Sequence, residues 1–156
     1  MVVNDSTFQS ISGPGIYLEK SFGSLNHNTV GFSHVAGILL NESGSVSVFN
    51  NEVFETVQIN GGFGDGILAF LSDAVLVSNK VHTNFRAGLM NFGSIVVAQS
   101  NQPSCNGFDM EGEPLDATPF QYYNAGDNGC GCPIPSGACV AQSVGLQAPA
   151  PIESTP

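Results

Sequence analysis

Four short segments recur along the chain with the same order of side chains: Gly15-Ile-Tyr-Leu, Gly37-Ile-Leu-Leu, Gly66-Ile-Leu-Ala and Gly88-Leu-Met-Asn. Their starts lie 22, 29 and 22 residues apart. The longer interval contains Asn60-Gly-Gly-Phe-Gly-Asp65, read as a loop insertion. Each segment leads into a second apolar alternation that ends in an asparagine: Asn28, Asn51, Asn79 and Asn101, which stand 13, 14, 13 and 13 residues after the glycines. Val30, Val53 and Val81 follow two residues later; in the fourth copy Pro103 takes that place, and the pattern is read as ending there. A fixed period in this range marks stacked repeats.

Within each copy the apolar residues alternate, which is the period of a strand. Ile16, Ile38, Ile67 and Leu89 point one way, followed by Leu18, Leu40 and Ala69. Leu25, Val48, Leu76 and Ala98 form a second inward column, and the three valines a third. No helical-period run of useful length exists. Three short strands per turn of about 22 residues, stacked in register, make an all-β parallel solenoid, in which each coil buries its face only against its neighbours. The asparagines are expected to stack at a tight turn, where Asn tolerates left-handed backbone angles and its amides bond along the axis. His27, just before Asn28, is read as a turn residue.

Gly-Ile-x-Leu, an apolar alternation and Asn-x-Val at this period resemble the right-handed parallel β-helix repeat of the pectate-lyase-like superfamily. The resemblance covers residues 1–103 and implies a right-handed parallel β-helix of about four to five coils. It does not imply one function: the superfamily holds lyases, hydrolases, epimerases, tailspikes, adhesins and non-catalytic surface proteins, and a fold is not an activity.

The first residues, Val2-Val3-Asn4, read as the tail of an earlier coil with Asn4 in the ladder position, so the chain is expected to start mid-coil. From Ser104 onward the character changes: six acids and no Lys or Arg give −6, against −4 for residues 1–103. Cys105, Cys130, Cys132 and Cys139 all lie here among Gly, Pro and Asn. An even count in a loop-rich segment reads as two disulfides, with three pairings open. Cys130-x-Cys132 lacks the C-x2-C spacing of zinc knuckles. Residues 104–147 are therefore read as a Cys-rich cap, and 148–156 as an extended or disordered tail.

Charge excludes some partners. Three Lys+Arg against 13 Asp+Glu, net −10, leave nothing to neutralise phosphates, so no nucleic-acid partner is expected. No apolar run has transmembrane length. With the cysteines, this points to an extracellular or cell-envelope location. Acids and amide oxygens would suit calcium, but no D-x-[DN]-x-[DN]-G loop exists and no metal ligand or other cofactor is assigned.

In enzymes of the resembled superfamily the site lies outside the strand that here begins with Gly-Ile, and on its flanking loops. The alternation sets Tyr17, Leu39, Leu68 and Met90 in one outward column, and Glu19, Asn41, Phe70 and Phe92 in the next. The carboxylate pair of a glycosidase is missing from these columns. An apolar outward face must be covered or used. Three covers are open: the Cys-rich segment with Phe108, Phe120, Tyr122 and Tyr123; a partner; or a sugar stacked on Tyr17, Phe70 and Phe92. The weak catalytic candidates are Asp65, His82 and Arg86, with His34 and Glu55 nearby in sequence, as an acid, a base and a cation in neighbouring loops. The leading expectation is a secreted or cell-surface structural or binding module, non-catalytic by itself, with a carbohydrate or protein partner. Two alternatives stand beside it: the C-terminal part of a carbohydrate-active enzyme, and a subunit that self-assembles through solenoid ends.

Overall fold

The computed structural model describes residues 1–59, 63–135 and 137–148. These residues form strands and no helix. The first coil is β1 (Val2–Asn4), β2 (Thr7–Gln9) and β3 (Ile16–Glu19). The second is β4 (Gly23–Asn26), β5 (Thr29–Gly31) and β6 (Ala36–Asn41), and the third β7 (Val46–Phe49), β8 (Glu52–Phe54) and β9 (Asp65–Phe70). The fourth is β10 (Asp73–Val77), β11 (Lys80–His82) and β12 (Ala87–Phe92). The fifth is β13 (Ile95–Gln99), β14 (Gln102–Ser104) and β15 (Phe108–Glu113), after which β16 (Gln121–Asn124) adds one more strand. Each strand pairs in parallel with its counterpart one coil away, giving three sheets: β1-β4-β7-β10-β13-β16, β2-β5-β8-β11-β14 and β3-β6-β9-β12-β15.

The repeat columns are the registers of these sheets. Ile16, Ile38, Ile67, Leu89 and Met110 align on the third sheet, and Leu25 with Val48 and Leu76 with Ala98 on the first. All are buried in one continuous core with Val30, Val53 and Val81. The glycine column is enforced by packing. A Cβ on Gly15, Gly37 or Gly66 would overlap the valine of the next coil and press on the glycine carbonyl of that same coil.

Most corners use the same device: one residue with φ near +50° followed by a small polar residue whose side chain bonds to the neighbouring coil; at the second corner Ile11 and Ser33, whose Oγ has no partner, depart from it. At the first corner His27, Asn50, Ser78, Ser100 and Asp127 are left-handed, and Asn28, Asn51, Asn79, Asn101 and Asn128 follow. The backbone N–H of each of these asparagines up to Asn101 donates to the Oδ1 of the next, at 2.9–3.0 Å. At the second corner Thr56, Asn84 and Asn106 form the same chain of bonds, which Asp109 of β15 closes by accepting from the Asn106 N–H. At the third the column is Ser21, Ser43, Ser72 and Ser94. The side-chain oxygens thus accept from N–H groups that the bend removes from the sheet ladders, and burying those unpaired would be costly.

Three sequence expectations are corrected here. The left-handed residue is the one before each ladder asparagine, not the asparagine itself. The place below Asn28 belongs to Ser6, whose N–H donates to Asn28 Oδ1 at 3.1 Å, while Asn4 pairs with Asn26 inside the first sheet. The coil pattern does not end at Pro103. That residue is buried in register with Val81, and the parallel pairing runs on past residue 103 through β15 and β16.

The four cysteines form two disulfides, Cys105–Cys132 and Cys130–Cys139. The first ties the corner after β14 to the loop after β17 (Gly129–Cys130), which pairs antiparallel with β18 (Gly137–Ala138). The second lies against the core, with Cys139 buried and Cys130 and Ala141 packed beside it. The disulfide-bearing segment therefore covers apolar side chains at the C-terminal end of the stack. Among the described residues no helix is long and apolar enough to cross a membrane.

Candidate functional site

The third sheet is the one whose outer face the sequence singled out, and its middle strands are buried on both faces. Leu39, Leu68, Met90 and Phe92 pack with Ala36 and Ala87 into a second apolar cluster outside the solenoid wall. Its cover is an extended strap of the chain itself. Gln142 bridges to Glu111, with the Gly112 N–H donating to its carbonyl at 2.9 Å. Leu146, Ala148 and Phe108 then pack on the cluster. The other aromatics proposed as cover lie elsewhere. Phe120 sits over Gly112, Tyr122 packs against the inner core, and Tyr123 is exposed on the first sheet.

Of the sugar-stacking candidates, Phe92 is fully buried, and Tyr17 and Phe70 pack partly buried against the same cluster. The Tyr17 hydroxyl accepts from Asn41 Nδ2 at 3.1 Å, and the Phe70 and Phe92 rings are 6.4 Å apart.

Of the catalytic candidates, the fold brings two together. Asp65 opens β9 and Arg86 precedes β12, one coil further on. Arg86 Nε donates to Asp65 Oδ1 at 2.8 Å and Nη2 to Oδ2 at 2.5 Å, a bidentate ion pair with Asp65 wholly buried. Burial pushes the Asp65 carboxyl above its ordinary value, and Arg86 pulls the other way. The guanidinium also lies 4.0 Å from the Phe63 ring centre and donates from Nη1 to the Gln147 carbonyl of the strap at 2.9 Å. His82 is not part of this group. It ends β11 on the second sheet, stacked on Phe54 with ring centres 5.6 Å apart and 3.4 Å from Glu52. Glu55 is the left-handed corner residue before Thr56, and His34 bridges to Val57.

Two carboxyl groups that sequence reasoning missed complete the face. In register, Met90 meets Glu111 and Phe92 meets Glu113, so the two outward apolar columns end in acids on the fifth coil. Both are buried. Glu113 Oε1 accepts the N–H groups of Val144, Gly145 and Leu146 at 2.8, 2.5 and 3.0 Å, and Oε2 accepts the Ser143 hydroxyl at 2.7 Å. Glu111 Oε1 accepts from Val144 N–H at 2.9 Å, while its Oε2 is buried with no donor. Burial and the Glu113 carboxylate push the Glu111 carboxyl up to about 7, the Val144 N–H and Arg86 opposing. Burial would raise Glu113 too, but Ser143, the strap N–H groups and Glu111 outweigh it and hold that carboxyl below its ordinary value.

Carboxyls with pKa values pushed apart are the material of acid–base pairs. These two, however, are both buried and share the Val144 N–H of the strap, so their oxygens face their own chain. Among the described residues no group of three or more His, Cys, Asp or Glu is placed to hold a metal.

On the first sheet, exposed outward residues alternate with buried ones along β10 and β13. Val75, Ile95 and Tyr123 are exposed there beside a shallow groove of about 320 Å3 lined by Leu71, Asp73, Ile95, Thr118 and Gln121. No protein-family model matches this chain, and no curated protein or solved structure matches it either.

Proposed function

We propose that the chain is an extracellular structural or binding module, non-catalytic by itself, and a β-helix of the pectate-lyase-like kind. One observation carries the reading: the four ionisable groups that the strap covers, Asp65, Arg86, Glu111 and Glu113, are engaged within the molecule, and Glu19 stands exposed and alone at the end of β3. Asp65 holds Arg86, and Arg86, Glu111 and Glu113 hold the strap. A general acid or base must reach a substrate atom, and these reach only their own chain. The disulfides support the extracellular part of the reading, since such bonds persist in oxidising compartments.

A protein partner suits the outer face of the first sheet better than a sugar does. Val75 and Ile95 are aliphatic, and the outward rings of this sheet are the exposed Tyr123 and the half-buried Phe49. An exposed apolar area rimmed by polar side chains is the usual form of a protein contact.

The test is the chain length of a panel of plant and microbial polysaccharides after incubation with the purified protein. All are expected to stay intact. Shortening of any one that disappears in Glu111→Gln would refute the non-catalytic reading and assign the reaction to the carboxyl pair.

A further inference from the structure

We propose that the strap of residues 143–148 is a proton-controlled latch: one proton held between Glu111 and Glu113 keeps it closed over the third sheet, and loss of that proton loosens it.

The geometry carries the argument. Three consecutive N–H groups of the strap converge on one Glu113 oxygen. Gly145, with φ +80°, makes that convergence accessible to the backbone, because residues with side chains rarely adopt this angle. An ionised Glu113 is the right partner for such a nest of donors. Glu111 lies directly beside it with Oε2 buried and no donor reaching it. Two carboxylates in contact in a buried place cannot both ionise cheaply. A proton on Glu111 removes the repulsion and donates to Glu113, leaving the negative charge where the strap needs it.

The charged and titratable groups that face this pair are few. Arg86, from the segment before β12, is already spent on Asp65 of β9. Tyr122 of β16 donates its hydroxyl to the Glu111 carbonyl at 3.2 Å, and burial together with the charges of Glu111 and Asp65 pushes its own ionisation upward. The strap brings only the Ser143 hydroxyl and neutral backbone. No cation is therefore free to compensate a second charge on the pair, among the described residues.

The sign follows from linkage. With the strap open, Glu111 returns toward its ordinary value of 4.5; with it closed, the carboxyl titrates at about 7. Opening then releases a proton between these two pH values, so the closed state weakens as pH rises through that window and changes no further above it. Glu113 works in the opposite direction: its contribution is present above its ordinary value and is lost only as pH falls through its lowered one. The latch is tightest in mild acid. Release uncovers Leu39, Leu68, Met90 and Phe92, an apolar strip that would then be available for contact.

The test is hydrogen exchange at the amides of Val144, Gly145 and Leu146 in the full, disulfide-bonded chain, corrected for the intrinsic pH dependence of exchange. Protection is expected to fall about tenfold per pH unit between about pH 5 and 7 and then level off. Glu111→Gln, which places an N–H where the carboxyl proton stands, is expected to flatten that profile. A flat wild-type profile, or the same slope in Glu111→Gln, overturns the proposal. Should the variant fold poorly, the carboxyl resonance of Glu111 in the wild type decides: a midpoint near 7 shared with the strap amides supports the latch, and one near 4.5 refutes it.

Discussion

Arg86→Ala is expected to destabilise the protein by about 3–5 kcal/mol, the usual result of removing one partner from a buried ion pair. The side chain is 9% exposed and Asp65 is 0% exposed, so solvent offers little relief. Four contacts disappear together: the two bonds to Asp65, the contact with the Phe63 ring, and the bond to the Gln147 carbonyl. Asp65 is left as a buried carboxylate with no cation, and it gains from taking up a proton. The loss should therefore be smaller at pH 5 than at pH 8. Denaturant unfolding of the disulfide-intact chain at both pH values checks this. Arg86→Lys should recover part of the stability, because the charge returns without the two-pronged geometry.

Asn79→Ala is expected to cost about 3 kcal/mol, since its side chain makes four hydrogen bonds to three neighbours. Its Oδ1 accepts from the N–H and the Nδ2 of Asn51, both at 3.0 Å. Its Nδ2 donates to the Val48 carbonyl at 2.8 Å and to Asn101 Oδ1 at 2.9 Å. An alanine leaves these groups buried without partners, and buried groups left unpaired are more costly than the bonds were worth. Melting curves of Asn79→Ala beside Ser78→Gly separate the two parts of the corner. Ser78 stands at φ +56°, an angle glycine adopts freely, so that change should cost little.

The inward columns were legible because they follow a strict period of two in apolar residues, and the glycine and first asparagine columns because each uses a single residue type. The other two corners were hidden. Ser21, Ser43, Ser72 and Ser94 are a column only once the coils are stacked, and serine is common everywhere in the chain. The second corner mixes Thr56 with Asn84 and Asn106. The left-handed residues before the ladder residues include Lys20, Glu42 and Leu71, which no turn propensity would select. Tertiary stacking, not local preference, holds them there.

The fifth coil escaped for a related reason. Asp109 follows Phe108 where Gly88 follows Ala87, so the glycine that flags each earlier copy is absent. Without that register, Glu111 and Glu113 do not fall into the outward columns, and the acids that hold the strap go unrecognised. The strap itself, Ser143-Val-Gly-Leu-Gln-Ala148, has no period at all. Asp65 and Arg86 were legible as residues that meet, but their burial turns a candidate acid and cation into a fixed ion pair.

The polar side chains of the corners are structural members of the solenoid, and native-state hydrogen exchange tests that most directly. The N–H groups of Asn51, Asn79, Ser72 and Asn84 are predicted to exchange as slowly as those of the neighbouring strands, through global unfolding alone. Corner amides that exchange orders of magnitude faster than the strands, as solvent-bonded turns do, would contradict it.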